Sequence, residues 1–215
     1  MMATSAKEPR SGSHTLSDDG GAAAGVGDSE RISWFPVLRD EEQTPEVRDL
    51  CERARVNAGL VPNVFRCFAW RPDRFLKWFS HFRDLMRGSP GLSDGERELI
   101  GAVVSYENHC IYCLTAHGAT ARELLGDPVM VDKALVDYRR AGLMPRQEAM
   151  LEYALKITRS SVDCGPDDIA KLRAVGFADE DIWDIAEVAA MFNFSNRLAN
   201  ATGMMPNREY YSMAR

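Results

Sequence analysis

The chain reads as an all-α protein on three observations. From "RISWFPVL" (31–38) onward its apolar residues recur mainly at helical intervals, the periodic stretches are divided by Gly, Pro and Asp punctuation, and no stretch alternates convincingly as a strand would. The first helix is expected over about 45–58, where Val47, Leu50, Cys51 and Ala54 of "PEVRDLCERARV" fall on one stripe. Gly59 and Pro62 separate it from a second over 62–70, and Pro72 opens a third over 72–87. After "GSPGLSD", Ser93 stands three residues before Glu96, a capping-box spacing that starts a fourth helix over 93–107. The fifth, over 110–124, is expected to take Asn108 as its N-cap, which puts Cys110 in the first turn. "GDP" and "DCGPDD" then mark off helices over 128–140, 145–159, 166–175 and 179–200.

With 215 residues, 45% of them hydrophobic, the chain can bury one sizeable core or two small ones. Residues 1–30 contain almost no large apolar side chains, so ordering them would cost entropy that no burial offsets. The expected organisation is a disordered tail over 1–30 and one helical domain over 31–215. The acids Glu8, Asp18, Asp19 and Asp28 make the tail a poor organellar transit peptide. Lys and Arg number 26 against 32 Asp and Glu, a net charge of −6 with no basic run, which argues against nucleic acid and anionic membranes as partners. No stretch approaches the roughly 18 apolar residues of a membrane span, and no secretory signal opens the chain. A cytoplasmic protein is expected. The five cysteines fit a reducing compartment, with Cys51, Cys67 and Cys164 as packing or surface thiols and one functional pair. "FLKWF" (75–79) and "YYSM" (210–213) suit a subunit interface or an ordinary core equally well.

Sliding the chain by 85 residues lays "GLSDGERELIGAVVSYEN" (91–108) on "GFADEDIWDIAEVAAMFN" (176–193). Gly91 falls on Gly176, Asp94 on Asp179, Ile100 on Ile185, Val103 on Val188 and Asn108 on Asn193. The match reads either as a duplicated loop-and-helix unit or as the common pattern of two capped amphipathic helices. In a duplication, Glu98 stands where the second copy has Trp183, which singles out Glu98.

The densest chemistry is in "ENHCIYCLTAHG" (107–118). At about 100° per residue, Cys110, Cys113 and His117 fall within a roughly 60° arc of one helix face. A cysteine in the first turn is favoured as thiolate by the free N–H groups and the helix dipole, and a CxxC pair there can close a disulfide with little backbone movement. Glu98, on the preceding helix, reaches His117 if the two helices run antiparallel, and a carboxylate on imidazole fixes its tautomer and raises its basicity. The residues alone leave open a redox couple, a metal clip and a pair of core thiols. His109, Cys110, Cys113 and His117 offer metal-binding atoms, but four ligands from one helix are poorly placed for a tetrahedron. Haem attachment needs His directly after the second Cys, where this chain has Leu114.

For a peroxide-reducing thiol, acidity alone achieves little. Lowering a cysteine pKa from about 8.5 to about 6.5 raises the thiolate fraction at pH 7 roughly 25-fold, and the lost nucleophilicity takes back about 8-fold. A proton for the departing oxygen is typically worth about 10²–10⁴, which makes His117, reloaded through Glu98, the candidate carrier.

These residues match the signature E-x11-C-x2-C-x3-H, with Glu98, Cys110, Cys113 and His117 at every spacing. The chain thereby resembles the alkylhydroperoxidase D-like branch of the carboxymuconolactone decarboxylase superfamily, and its peroxidase-related members in particular. "GLVPNVFRCFAWRPDRF" (59–75), "GLSDGERELIGAVVS" (91–105) and "FNFSNRLANATG" (192–203) extend the resemblance over nearly everything after residue 30. It implies an all-α bundle assembling as a homo-oligomer, a trimer or hexamer, without cofactor or bound metal. The implied activity is reduction of hydrogen peroxide or organic hydroperoxides, with electrons from a thiol or dithiol reductant. By the resemblance Cys113 attacks the peroxide, Cys110 closes the redox disulfide, and His117 and Glu98 relay protons. Many members carry His before the second cysteine, where this chain has Tyr112. The alternatives are a carboxymuconolactone decarboxylase-like lyase, whose relatives generally lack the CxxC pair, and a non-enzymatic redox-sensing oligomer.

Overall fold

A computed structural model describes residues 31–87 and 91–215; the expected tail over 1–30 lies outside them. The helices are α1 (Pro45–Ala58), α2 (Asn63–Phe68), α3 (Pro72–Leu85), α4 (Asp94–Glu107), α5 (Ile111–Leu125), α6 (Pro128–Asp137), α7 (Pro145–Ser160), α8 (Pro166–Ala174) and α9 (Asp179–Thr202), and no strand occurs among the described residues. Pro opens α1, α3, α6, α7 and α8, where its missing N–H costs nothing, and left-handed glycines close α1, α5 and α9. The expected helix over 128–140 stops at Asp137, whose carboxylate accepts the Arg139 N–H and turns the chain into a 3-10 turn over Tyr138–Arg140.

One correction concerns the start of α5. Asn108 is the C-cap of α4 rather than the N-cap of α5, and Cys110 itself occupies the N-cap. The reason lies in the backbone. The Asn108, His109 and Cys110 N–H groups all bond back to α4 carbonyls, so α4 is still being closed when Cys110 is reached.

α4 and α5 form an antiparallel hairpin through this turn. α7 and α9 run alongside α4 in its own direction: Glu96 meets Arg146 near the starts of α4 and α7 and Glu107 meets Arg159 near their ends. Gly91 lies against Asp181 just ahead of α4, and Asn108 bonds Asn193 beyond its end. Close approach of α4 to α9 depends on Gly101, where an added Cβ would lie 2.3 Å from the Phe192 ring. The main core runs through α4 to α9, and a smaller cluster of Val47, Leu50, Val61, Phe65 and Phe75 is built by α1 to α3. No described helix is long and apolar enough to cross a membrane.

Candidate active site

The turn between α4 and α5 fixes the first cysteine from both sides. The Cys110 N–H donates to Ser105 O at 2.9 Å while its own carbonyl accepts from Leu114 N at 2.9 Å, so this residue ends one helix and begins the next. The reversal needs a left-handed residue, and His109 supplies it at φ 52°. Cys113 follows one turn later and His117 one turn after that, stacked along the same face of α5. Both cysteines are free thiols and both are buried.

Their environments push them apart. The Cys113 thiol, the N–H groups of Cys113 and Tyr112 and the Asn196 amide favour the charged form of Cys110. Together they outweigh burial and take its pKa down to about 7. Cys113 moves the other way, held protonated by its hydrogen bond to Cys110 and by burial. Above about pH 7 the pair therefore holds one proton and one negative charge between two sulfurs.

Glu98 projects from α4 onto α5, where its Oε2 lies 2.6 Å from His117 Nδ1, both side chains mostly buried. The rings of Phe82 and Phe192 lie 5.8 and 4.6 Å from the imidazole and confine its orientation. With Nδ1 engaged by the carboxylate, Nε2 is the ring nitrogen left for other chemistry. Cys113 and His117 both line a cavity of about 180 Å³, walled largely by Phe65, Phe68, Trp78, Phe79 and Phe82, whereas Cys110 lies behind it.

Tyr112 is a strut. Its hydroxyl accepts the Val64 N–H at 3.1 Å, one of the donors that α2 leaves open because Pro62 makes no cap bond, and burial raises its pKa. Tyr210, from the C-terminal 3-10 turn, lines the same cavity and is pushed up to about 12 by burial, with the charges of Glu209 and Glu98 adding to the effect. His81 lies apart on the surface at 3.2 Å from Glu187, and Cys51, Cys67 and Cys164 lie outside the cavity. Among the described residues no group of three or more His, Cys, Asp or Glu side chains is arranged to hold a metal ion.

Several cavity and support residues escape a local reading of the sequence. Asn196, fully buried on α9, donates to Ser105 Oγ at 2.9 Å, accepts from Asn108 at 3.0 Å and faces Cys110. Its one signal is a polar residue between Phe192 and Ala199 on an apolar stripe. Ser195, Phe82 and Tyr210 carry no signal of their own.

The carboxymuconolactone decarboxylase family model matches residues 73–156, which contain all four motif residues. A peroxidase-related protein of alkylhydroperoxidase AhpD core type from Ralstonia eutropha JMP134, itself uncharacterized, is 42% identical. The match covers 86% of this chain and 97% of that one with a TM-score of 0.84. An uncharacterized peroxidase-related protein from Silicibacter sp. TM1040 is 40% identical over 89% and 100% of the two chains, with a TM-score of 0.83. The debrominase Bmp8, 17% identical over 83% and 93% with a TM-score of 0.68, shares the fold. Among curated proteins none matches. Identities of 42% and 40% over almost the whole length of two relatives are decisive: the chain belongs to the alkylhydroperoxidase D-like branch of the carboxymuconolactone decarboxylase family.

Proposed function

We propose that the protein is a thiol-dependent peroxidase that reduces hydroperoxides through Cys113 and Cys110, with His117 and Glu98 moving protons. The observation that carries this reading is the 2.6 Å contact of Glu98 with His117 in the cavity onto which Cys113 opens. The peroxidase-related character of the two relatives above 40% identity or at it supports the reaction class.

In the resting state Cys110 is the thiolate, Cys113 the thiol that donates to it, and His117 is hydrogen-bonded to Glu98. Cys113 Sγ attacks the terminal peroxide oxygen, forming an S–O bond as the O–O bond breaks. Its proton passes to the Cys110 sulfur along the hydrogen bond already in place, and the departing alkoxide takes a proton from His117 Nε2. Cys110 then attacks the sulfenic sulfur, the S–S bond forms, and hydroxide leaves with the Cys110 proton as water. A dithiol reductant returns both cysteines to the reduced state by exchange. Cys110 is thus first the base and then the resolving thiol, which reconciles its low pKa with its place behind the cavity. The family's trimer or hexamer is part of the same reading, checked by sedimentation.

The test is stopped-flow Trp fluorescence of the reduced protein with an alkyl hydroperoxide, free thiols being counted before and after. Loss of two thiols per chain that needs both Cys110 and Cys113 is expected. Reaction no faster than that of a free thiol would sink the reading.

A further inference from the structure

A second cavity, of about 530 Å³, adjoins the cysteine cavity. Phe68, Trp78 and Met204 line both, so one layer of side chains divides them. The inner space alone falls below the roughly 300–1,000 Å³ of small-molecule sites, while the two joined fall within it. The outer cavity is built mainly from apolar groups, among them Phe35, Trp70, Phe194 and Leu198, all exposed. Its charged residues are Arg71 and Arg74, both exposed, and no acid lines it. Among the described residues neither guanidinium enters an ion pair or a hydrogen bond. Two uncompensated cations beside an apolar cleft, in a chain of net charge −6, mark a place complementary to an apolar anion.

Buried polar atoms without partners lie further in. Trp78 Nε1 sits in the dividing layer, and Ser195 Oγ, on a side chain 7% exposed, belongs to the inner cavity with Cys113 and His117. Leaving such groups unpaired costs free energy that a ligand's hydrogen bonds recover.

We propose that the two cavities form one binding site for an apolar carboxylate, whose hydroperoxide form is the substrate. The hydroperoxide end lies at Cys113 within reach of Ser195, the apolar body crosses the layer of Phe68, Trp78 and Met204, and the carboxylate rests against Arg71 and Arg74. Met204 is the flexible member of that layer. The catalytic half of this inference rests on the thiol peroxidase reading; the binding half does not.

Two measurements separate the halves. Decanoate and 1-decanol are titrated against the reduced full chain by Trp fluorescence, in wild type and in the double variant Arg71→Gln, Arg74→Gln. Wild type is expected to prefer decanoate about tenfold, and this preference to weaken with salt and to fall within about twofold in the variant. In turnover, kcat/KM for a fatty-acid hydroperoxide is compared with that for its methyl ester, with the same expected preference and the same loss, and decanoate is expected to compete. Equal binding of acid and alcohol, or a preference that survives in the variant, would overturn the proposal. A change of oligomeric state in the variant would assign the outer cavity to a second copy of the chain and overturn it as well. Arginine-dependent decanoate binding without hydroperoxide turnover would uphold the site and sink the peroxidase reading alone.

Discussion

Residues 91–108 and 176–193 share a frame and differ in what it carries. In each, an N3 acid accepts the N-cap N–H, Glu96 from Ser93 and Asp181 from Ala178, and in the first the Ser93 hydroxyl completes a capping box by accepting the Glu96 N–H. Asn108 and Asn193, at matching positions, bond each other at 3.0 Å. Yet in the first unit position 98 places a carboxylate on an imidazole, while in the second the matching Trp183 is 72% exposed. Continuing the offset of 85, Cys110, Cys113 and His117 correspond to Ser195, Leu198 and Thr202. The second unit has no thiol and no base, and it serves as scaffold: its Asn196 faces Cys110 and its Phe192 confines His117. Similar local sequence thus yields similar caps and helices, and the chemistry is decided by which residues are then buried together.

The largest effect is expected from removing the thiols that only the first unit has. Cys113→Ser should abolish reductant-linked turnover and leave no rapid thiol loss. Cys110→Ser should still form a sulfenic acid, more slowly, that a dimedone adduct detected by mass spectrometry would reveal. The adduct appearing instead in Cys113→Ser would reverse the roles of the two sulfurs. Glu98→Gln keeps the shape of the contact and removes the charge, and a loss of about 10–100-fold in kcat is expected. KM should change little, because the carboxylate touches His117 rather than the peroxide.

The frame was legible in the sequence because punctuation is local. Pro72, Pro145, Pro166 and the Ser93–Glu96 pair set helix starts within a residue or two, whatever packs on them. The start of α5 is not legible because Asn108 suits either a helix end or a helix start, and the backbone N–H bonds of Asn108, His109 and Cys110 back to α4 carbonyls make it the end. Four candidate residues are legible in the sequence because α4, the cap of α5 and α5 itself carry them at fixed spacings. Asn196, Ser195, Phe82 and Tyr210 are not, since their relation to the site depends on how α3, α9 and the C-terminal turn pack against α5, which no helical period encodes.

Asn196 is where the scaffold touches the chemistry, so Asn196→Ala tests that division directly. Removing a buried amide that serves Ser105 and Asn108 should cost about 1–3 kcal/mol in chemical denaturation. It should also take away one of the groups that lower the Cys110 pKa. In wild type that pKa is about 7, so thiolate is present above pH 7 and is lost as pH falls through it. Ultraviolet thiolate absorbance should therefore rise across pH 7 in wild type and at higher pH in the variant. An unmoved midpoint would show that the Cys113 thiol and the helix N–H groups suffice.

The smallest effect should come from Trp183→Glu, which writes the residue of the first unit into the second. The side chain is exposed, its indole N–H reaching only Glu187 at 3.2 Å, so stability should change by no more than about 0.5 kcal/mol. Peroxide turnover should not change either, because position 202, where a matching imidazole would stand, is Thr202, its hydroxyl bonded to the Leu198 carbonyl at 2.8 Å. Adding Thr202→His supplies the second member of the pair at the matching place, still without a thiol at 195 or 198. Activity from that double variant in a Cys113→Ser background would mean that the frame alone confers chemistry. Continued inactivity would place the chemistry in the buried junction of α4 with α5.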